Sequence, residues 1–512
     1  MASSDHQIVW KAPASAIPKS VNTRIESRAD DCSVARLNNT SSTRMIVSYS
    51  ATTCAKSWRS SRRRLLQVGG LGCGGLTWPM LLAAERNAVT ATMPRSFGRA
   101  KRCVMLFLTG GIPQHDTFDP KPLAPVNVRG ELSPIATSVP GVQVTELFPQ
   151  FARRADRVML LRSVTHDDTV HTSAGYTMLT GRRHPQANAK TAADIKPLPT
   201  DHPHIGSILS RVRPEAGPPT FVSLPEIIKD AGVNEFPGLC GGFLSERYSP
   251  LLIEGSPQTN RFTPPPLTLA DGLSRERFVE RQRLLASLDR RLTADSVSSR
   301  VAVADAQRER VFSLLASNAV QHAFDLNQES AATRRRYGSH LFGQGCLLAR
   351  RLLEAKVALV TVYWHYEGPD DSPVWDTHWN NFDHLRNRLA PPTDIAMSAL
   401  LDDLSDRGLL DDTLFLVMGE FGRSPQINAK AGRDHWPQVA TTILAGAGIN
   451  PGGTFGASDR LGAAPADHPV TPADLTATIL HLLGVAPDFD LFDQAGRPHR
   501  ACEGSPVTGL FA

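Results

Sequence analysis

Four short apolar runs, each ending in a cluster of carboxylates and imidazoles, constrain this chain more than anything else in it. They span residues 104–109, 158–161, 357–362 and 413–418. All four are rich in Val and Leu, or in Leu with Met and Phe, and none alternates apolar with polar residues. Such runs read as strands covered on both faces, and hence as a mostly parallel sheet flanked by helices. The polar endings are Gly110-Gly111 with Asp116, then His166, Asp167, Asp168 and His171, then Trp375-Asp376-Thr377-His378, then Glu420-Phe421-Gly422-Arg423. In a parallel sheet the carboxyl ends of the strands share one edge, where ligands bind. Residues far apart in the chain are therefore expected to converge there.

Composition sorts the chain into two parts. Residues 1–100 carry 14 Lys/Arg against 5 Asp/Glu, which leaves 41 basic and 45 acidic residues in the remainder, a net of −4. The basic surplus belongs to a leader, so no nucleic-acid footprint is expected. Within the leader, Ser61-Arg62-Arg63-Arg64-Leu65-Leu66-Gln67 resembles the twin-arginine export consensus, with Leu65 for the usual Phe and Gln67 for the usual Lys. A Gly-rich, weakly apolar stretch follows to Leu82, then Ala83-Ala84 for cleavage. Its glycines and Pro79 argue against a stable membrane span. A basic linker before a buried helix is the competing reading. Residues 1–60, rich in Ser, Thr, Ala and Asn, read as a disordered leader, with 61–84 as the signal peptide and Met45 as a candidate start. The expected location is periplasmic or otherwise exported, with the twin-arginine machinery as a partner. Four cysteines follow the cleavage point, Cys103, Cys240, Cys346 and Cys502, with no C-x-x-C pair, so neither a disulfide framework nor a thiolate zinc cage is indicated.

Strand, loop and helix alternate across residues 100–512. Residues 220–224 and 439–444 read as further strands. Residues 256–345 read as an α-helical insertion, because 273–292 and 308–326 space apolar residues by three and four. An amphipathic helix is expected over 394–407, and another from Thr471, with Pro472 in its first turn, to Leu483.

The motifs offer specific chemistry. Asp376 and His378, two apart on an extended segment, point the same way and suit one divalent ion. His435, in Gly432-Arg433-Asp434-His435-Trp436, is an accessible third donor. Glu420 ends a strand with no other charge, so it either ligates a cation or pairs with Arg423. Gly110-Gly111 lets the backbone approach a ligand closely, with Asp116 as a carboxylate beyond it, or else forms a turn with Asp caps. A helix is expected to start at Thr172, capped by Thr172 or Ser173, with an N-terminus suited to an oxyanion. Arg182 and Arg423 are candidate anion clamps.

Together these motifs resemble a bacterial family of twin-arginine-exported, sulfatase-like proteins related to the alkaline phosphatase/sulfatase superfamily. The matching pieces run from about Arg102 to Val485. They are Gly-Gly-x4-Asp-Thr-Phe-Asp-Pro-Lys, His-Thr-x6-Leu-Thr-Gly-Arg, Trp-Asp-Thr-His, Glu-Phe-Gly-Arg-Ser-Pro and Gly-Arg-Asp-His-Trp-Pro. The resemblance implies an alkaline-phosphatase-like α/β fold and a two-metal site. Asp376, His378 and His435 would form one half, and Asp116 with Glu420 the other, Phe421 standing where relatives have His. Zinc or calcium is the implied divalent metal. In relatives the nucleophile sits ten residues before the glycine of Thr-Gly, which here is His171. No cysteine begins a formylglycine signature. Thr172 or Ser173 would then have to shift into place, or His171 would ligate metal while bound water attacks.

The expected activity is metal-dependent hydrolysis of phosphate or sulfate esters, with an anionic ester substrate such as a sulfated polysaccharide. The alternative is a sulfatase-like binding or scaffold protein that has lost turnover.

Overall fold

In a computed structural model the described residues are 94–187, 193–213, 217–230, 234–254, single positions between 274 and 287, 318–365 and 374–512. The expected leader and signal peptide, and much of the expected insertion, lie outside them.

Eight strands form the central sheet: β1 Arg102–Phe107, β2 Met159–Val164, β3 Phe221–Leu224, β4 Leu251–Leu252, β5 Leu359–Tyr363, β6 Thr413–Met418, β7 Ala440–Ala445 and β8 Gly453–Phe455. Their order across the sheet is β8-β2-β7-β6-β1-β5-β3-β4. At the centre β1 lies parallel to β6, with Val104 opposite Phe415, and to β5, with Val104 opposite Val360. β5, β3 and β4 continue in parallel, as do β2 and β8. β7 departs from the parallel expectation, running antiparallel to both β6 and β2. The reason lies in its connection: residues 419–439 contain no helix to carry the chain back across a face, so the chain turns round beside β6.

Side chains along β1 alternate between two cores. Val104 and Leu106 join one, and Cys103, Met105 and Phe107 the other, all fully buried. Helices cover both faces. α1 His171–Thr180, α2 Ile205–Val212 and α5 Pro472–Leu482 pack on the second core through Leu179, Ile208 and Ile479; α3 Leu341–Glu354 and α4 Ala390–Asp406 pack on the first through Leu348 and Leu400. Each fully buried Leu or Ile here contributes about 1.5–3 kcal/mol, which makes this three-layer sandwich the main source of stability.

Two helix starts differ from expectation. Helical backbone starts earlier than expected, at Asn381, and runs through a π-helical turn at Leu385–Leu389 into α4, where Pro391 and Pro392 supply no amide to the regular ladder. α1 begins at His171 with Val170 as N-cap and no side-chain cap bond, so Thr172 and Ser173 lie inside the helix. α5 has the expected start, with a full capping box between Thr471 and Asp474. Among the described residues no helix is long and apolar enough to cross a membrane.

β1, β2, β5 and β6 run in the same direction, so the loops after Phe107, Val164, Tyr363 and Met418 leave one edge of the sheet together. The antiparallel β7 starts at that same edge, which brings the preceding His435 there as well. Topology alone thus gathers residues from 110 to 435.

Candidate metal centre

His171, at the first position of α1, faces Asp376 and His435 from the loops after β5 and β6. One donor atom from each of these three lies within 4.8 Å of the other two. Asp376 Oδ1 stands 3.4 Å from His171 Nε2, 3.2 Å from His378 Nε2 and 3.3 Å from His435 Nε2. His378, the most exposed of the three imidazoles, also approaches His435, with its Nε2 2.8 Å from His435 Nε2.

The opposite ring nitrogens define the chemistry. His171 Nδ1 donates to Glu420 Oε1 at 2.7 Å, His435 Nδ1 to the Thr169 carbonyl at 2.7 Å, and His378 Nδ1 to Asp434 Oδ1 at 3.1 Å. Carboxylates and carbonyls only accept, so each Nδ1 carries a proton, and the nitrogen that each ring turns toward Asp376 is Nε2, the one left to bind a cation. At 2.8 Å the Nε2 atoms of His378 and His435 lie at hydrogen-bond distance, so in the absence of an ion one of them donates a proton to the other. His171 Nε2 is buried without a hydrogen-bond partner.

Titration follows the same logic. Burial disfavours an imidazolium at His171, yet the Asp376 carboxylate 3.4 Å from its Nε2 and the hydrogen-bonded Glu420 outweigh it and raise its pKa to about 10. Burial opposes charge on Asp376 too, but the Arg423 guanidinium, His171 and His435 hold its carboxyl far below the usual range. Burial, together with the charges of His171 and Arg423, pushes His435 down, so that ring is neutral. Without a metal, a proton on His171 compensates Asp376; a divalent ion would replace it. Imidazole nitrogens with one carboxylate fit a nitrogen-preferring transition-metal ion, zinc among them, and not calcium, which takes six to eight oxygens.

Several expected site residues have other work. Asp116 is fully buried and accepts from Arg433 Nε at 2.6 Å, Arg433 Nη2 at 2.9 Å and Asn381 Nδ2 at 2.8 Å. A permanent cation already sits on it, so it is corrected from metal ligand to anchor. The two-metal expectation loses that half, and the three-donor group above is the one found among the described residues. Arg433 spends its other donors on the Ser424, Pro425 and Val128 carbonyls, fixing the loop that carries His435.

Arg423 is no anion clamp either. It is fully buried and donates to Asp376, Gly110 O, Gly111 O and Arg433 O, which holds the Asp376 carboxylate in place. Arg182 lies past the far end of α1, roughly 15 Å along the axis from His171, and pairs with Glu503 and the Arg500 carbonyl. Thr172 Oγ1 donates to Asp194 at 3.1 Å and accepts from Ile195 N at 3.1 Å, which leaves it no role as a nucleophile. Glu420 contacts His171 on the ring nitrogen remote from the donor group, so it stands behind a ligand and not among the ligands.

The glycine pair serves the protein itself. Gly110 has φ +115°, and a Cβ there would lie 2.4 Å from the Asp376 nitrogen. A Cβ on Gly432 would fall 1.9 Å from the His378 carbonyl oxygen, so only glycine lets the two histidine-bearing loops meet. Phe421 packs on both imidazoles, its ring 4.9 Å from His171 and 4.6 Å from His435. The supporting roles of Thr169, Asn381, Asp434 and Phe421 had no signal beyond proximity to a motif.

Residues 100–511 match the model of a family described as "Protein of unknown function (DUF1501)", and the chain belongs to that family. No curated protein matches it. Solved structures similar to it include the PsFucS1 sulfatase from Pseudoalteromonas sp., with 11% identity over 81% of this chain and 72% of that one, at a TM-score of 0.36. A protein in the alkaline phosphatase superfamily from Vibrio parahaemolyticus has 13% identity over 77% and 69%, at 0.34. The phosphonate monoester hydrolase SpPMH from Silicibacter pomeroyi has 15% identity over 80% and 76%, also at 0.34. At such scores the likeness assigns neither activity nor substrate.

Proposed function

We propose that this protein is an exported, metal-dependent hydrolase of phosphate or sulfate esters that works with a single divalent ion, zinc by preference. The observation carrying this reading is the set of three Nε2 atoms gathered at Asp376, each on a ring fixed by an oxygen acceptor at the opposite nitrogen. His171, Asp376 and His435 would hold the ion, with His378 beside them on the more exposed side. An ion held there supplies Lewis acidity, acidifying water and neutralising charge that develops on the ester. Arg423 keeps Asp376 ionised and oriented, and Phe421 closes the rear of the two imidazoles. The substrate reaches the centre from the side of His378 and Asp434, which solvent already touches.

With Thr172 engaged elsewhere and both His171 nitrogens directed at carboxylates, the attacking group is water. The same engagement of Thr172 favours a second reading, a binding or scaffold protein without turnover. The two separate on a screen of p-nitrophenyl phosphate, bis-p-nitrophenyl phosphate, p-nitrophenyl sulfate and sulfated oligosaccharides, using zinc-reconstituted protein with His435→Ala as control. Hydrolysis that disappears in the variant supports the enzyme. A protein that retains the ion stoichiometrically but cleaves nothing contradicts it.

A further inference from the structure

One oxygen atom ties the candidate centre together. Glu420 Oε1 accepts from His171 Nδ1 at 2.7 Å and from the Gly110 amide at 2.7 Å. The first bond sets the tautomer and tilt of the His171 ring. The second reaches the segment that carries Asp376. Thr109 O accepts from Trp375 N at 2.8 Å, Gly110 O accepts from Arg423, and the Gly110 α-carbon abuts the Trp375–Asp376 backbone. Glu420 is itself fully buried, and its Oε2 has no hydrogen-bond partner. A buried carboxylate with an unsatisfied oxygen is costly, and proteins keep such groups where they serve a site.

We propose that Glu420 is a positioning residue, one that sets the spacing between the His171 and Asp376 donors and thereby determines how tightly and in what geometry the ion is held. This rests on the metal centre read above. Its action runs through a charge-assisted hydrogen bond that makes the imidazole a stronger donor and a rigid one. His435 is outside this control, since its Nδ1 is held by the Thr169 carbonyl instead.

The isosteric Glu420→Gln separates charge from shape. Its amide oxygen can still accept from both His171 and Gly110, and its NH2 takes the place of Oε2. Glu420→Ala removes the bonds altogether. Chelator-stripped protein would be titrated with Co2+, and with Zn2+ against a chromophoric competitor, giving the dissociation constant, the stoichiometry and the cobalt d–d spectrum. The melting temperature of each stripped variant would be recorded alongside.

The expected results are one ion per chain in wild type and in Glu420→Gln, with affinity about 10–100-fold weaker in the variant and a shifted cobalt spectrum. The stripped Glu420→Gln should melt close to the stripped wild type, which a merely structural role would not predict. Glu420→Ala should bind more weakly still. An unchanged dissociation constant and spectrum in both variants would overturn the positioning role. Complete loss of stoichiometry in Glu420→Gln, matching His171→Ala, would overturn it in favour of direct ligation. If wild type itself takes up no ion, the reading of the centre falls first, and that outcome is separately visible.

Discussion

Replacing Arg433 by Met gives the sharpest test of how the loop bearing His435 is held. Arg433 and Asp116 are both fully buried, and the guanidinium meets the carboxylate with two bonds. Deleting one member of a buried ion pair costs about 3–5 kcal/mol, because the other charge stays behind uncompensated. Three main-chain carbonyls, at Ser424, Pro425 and Val128, lose a donor as well. Stranding such groups adds at least about 1 kcal/mol in total. A total of about 5 kcal/mol, spread over an unfolding entropy of about 2.1 cal/mol/K per residue for roughly 400 residues, lowers the melting temperature by about 5–6 °C. Differential scanning calorimetry with chelator present reads this without any contribution from bound ion. Asp116→Asn should be costly too, and the double variant should lose less than the sum of the single ones, with a coupling energy of about 1–3 kcal/mol. A chelated Asp116→Asn protein that melts like wild type, yet no longer takes up metal, would refute the reasoning and return Asp116 to the ligands.

Gly110→Ala should lower the melting temperature and weaken metal uptake together, since φ is +115° and the new Cβ would strike the Asp376 backbone; unchanged values for both would contradict the close-approach argument. Burial pushes His204 down to about 3 and His340 down to about 4, and burial with help from neighbouring arginines pushes His115 and His202 down to about 4. With folded pKa values below the unfolded value of about 6.5, the unfolded chain binds protons that the folded chain refuses. Stability contributed by these rings is therefore complete above about pH 6.5 and is lost as pH falls toward about 3–4. Each ring gives up on the order of 1.4 kcal/mol for every pH unit that separates its folded from its unfolded pKa. His204→Asn, which can still cap α2, should flatten that acid slope in chelated protein; an unaltered slope would show that His204 titrates normally. Replacing Arg62 and Arg63 by Lys should leave the protein in the cytoplasm, because twin-arginine receptors read guanidinium geometry; unchanged arrival outside it would contradict the reading of the leader.

The sheet was legible because its central strands are apolar on both faces, which no surface element tolerates. Residues 104–109, 357–362 and 413–418 read as strands on that ground alone. The direction of β7 was not legible: Ala440–Ala445 has the same apolar character in either orientation, and only the helix-free stretch 419–439 carries the signal. At the site, the donors His171, Asp376 and His435 stood out as polar residues at strand ends. The roles of Asp116, Glu420, Arg423 and Arg433 did not, because a buried carboxylate beside a cation looks the same in sequence whether that cation is a metal or an arginine. Pairings such as Asp116 with Arg433, more than three hundred residues apart, depend on tertiary geometry. Sequence gives Arg182 the look of a clamp for a related reason: the ten residues of α1 place it at the helix end opposite His171.

The central claim is that His171, Asp376 and His435 hold one transition-metal ion. Elemental analysis of the chelator-stripped protein after equilibration with zinc and gel filtration tests it directly, beside His171→Ala, Asp376→Asn and His435→Ala variants shown by circular dichroism to be folded. One zinc per wild-type chain and far less than one in each variant is the predicted result. Two ions per chain, none, or full occupancy in the variants would contradict it.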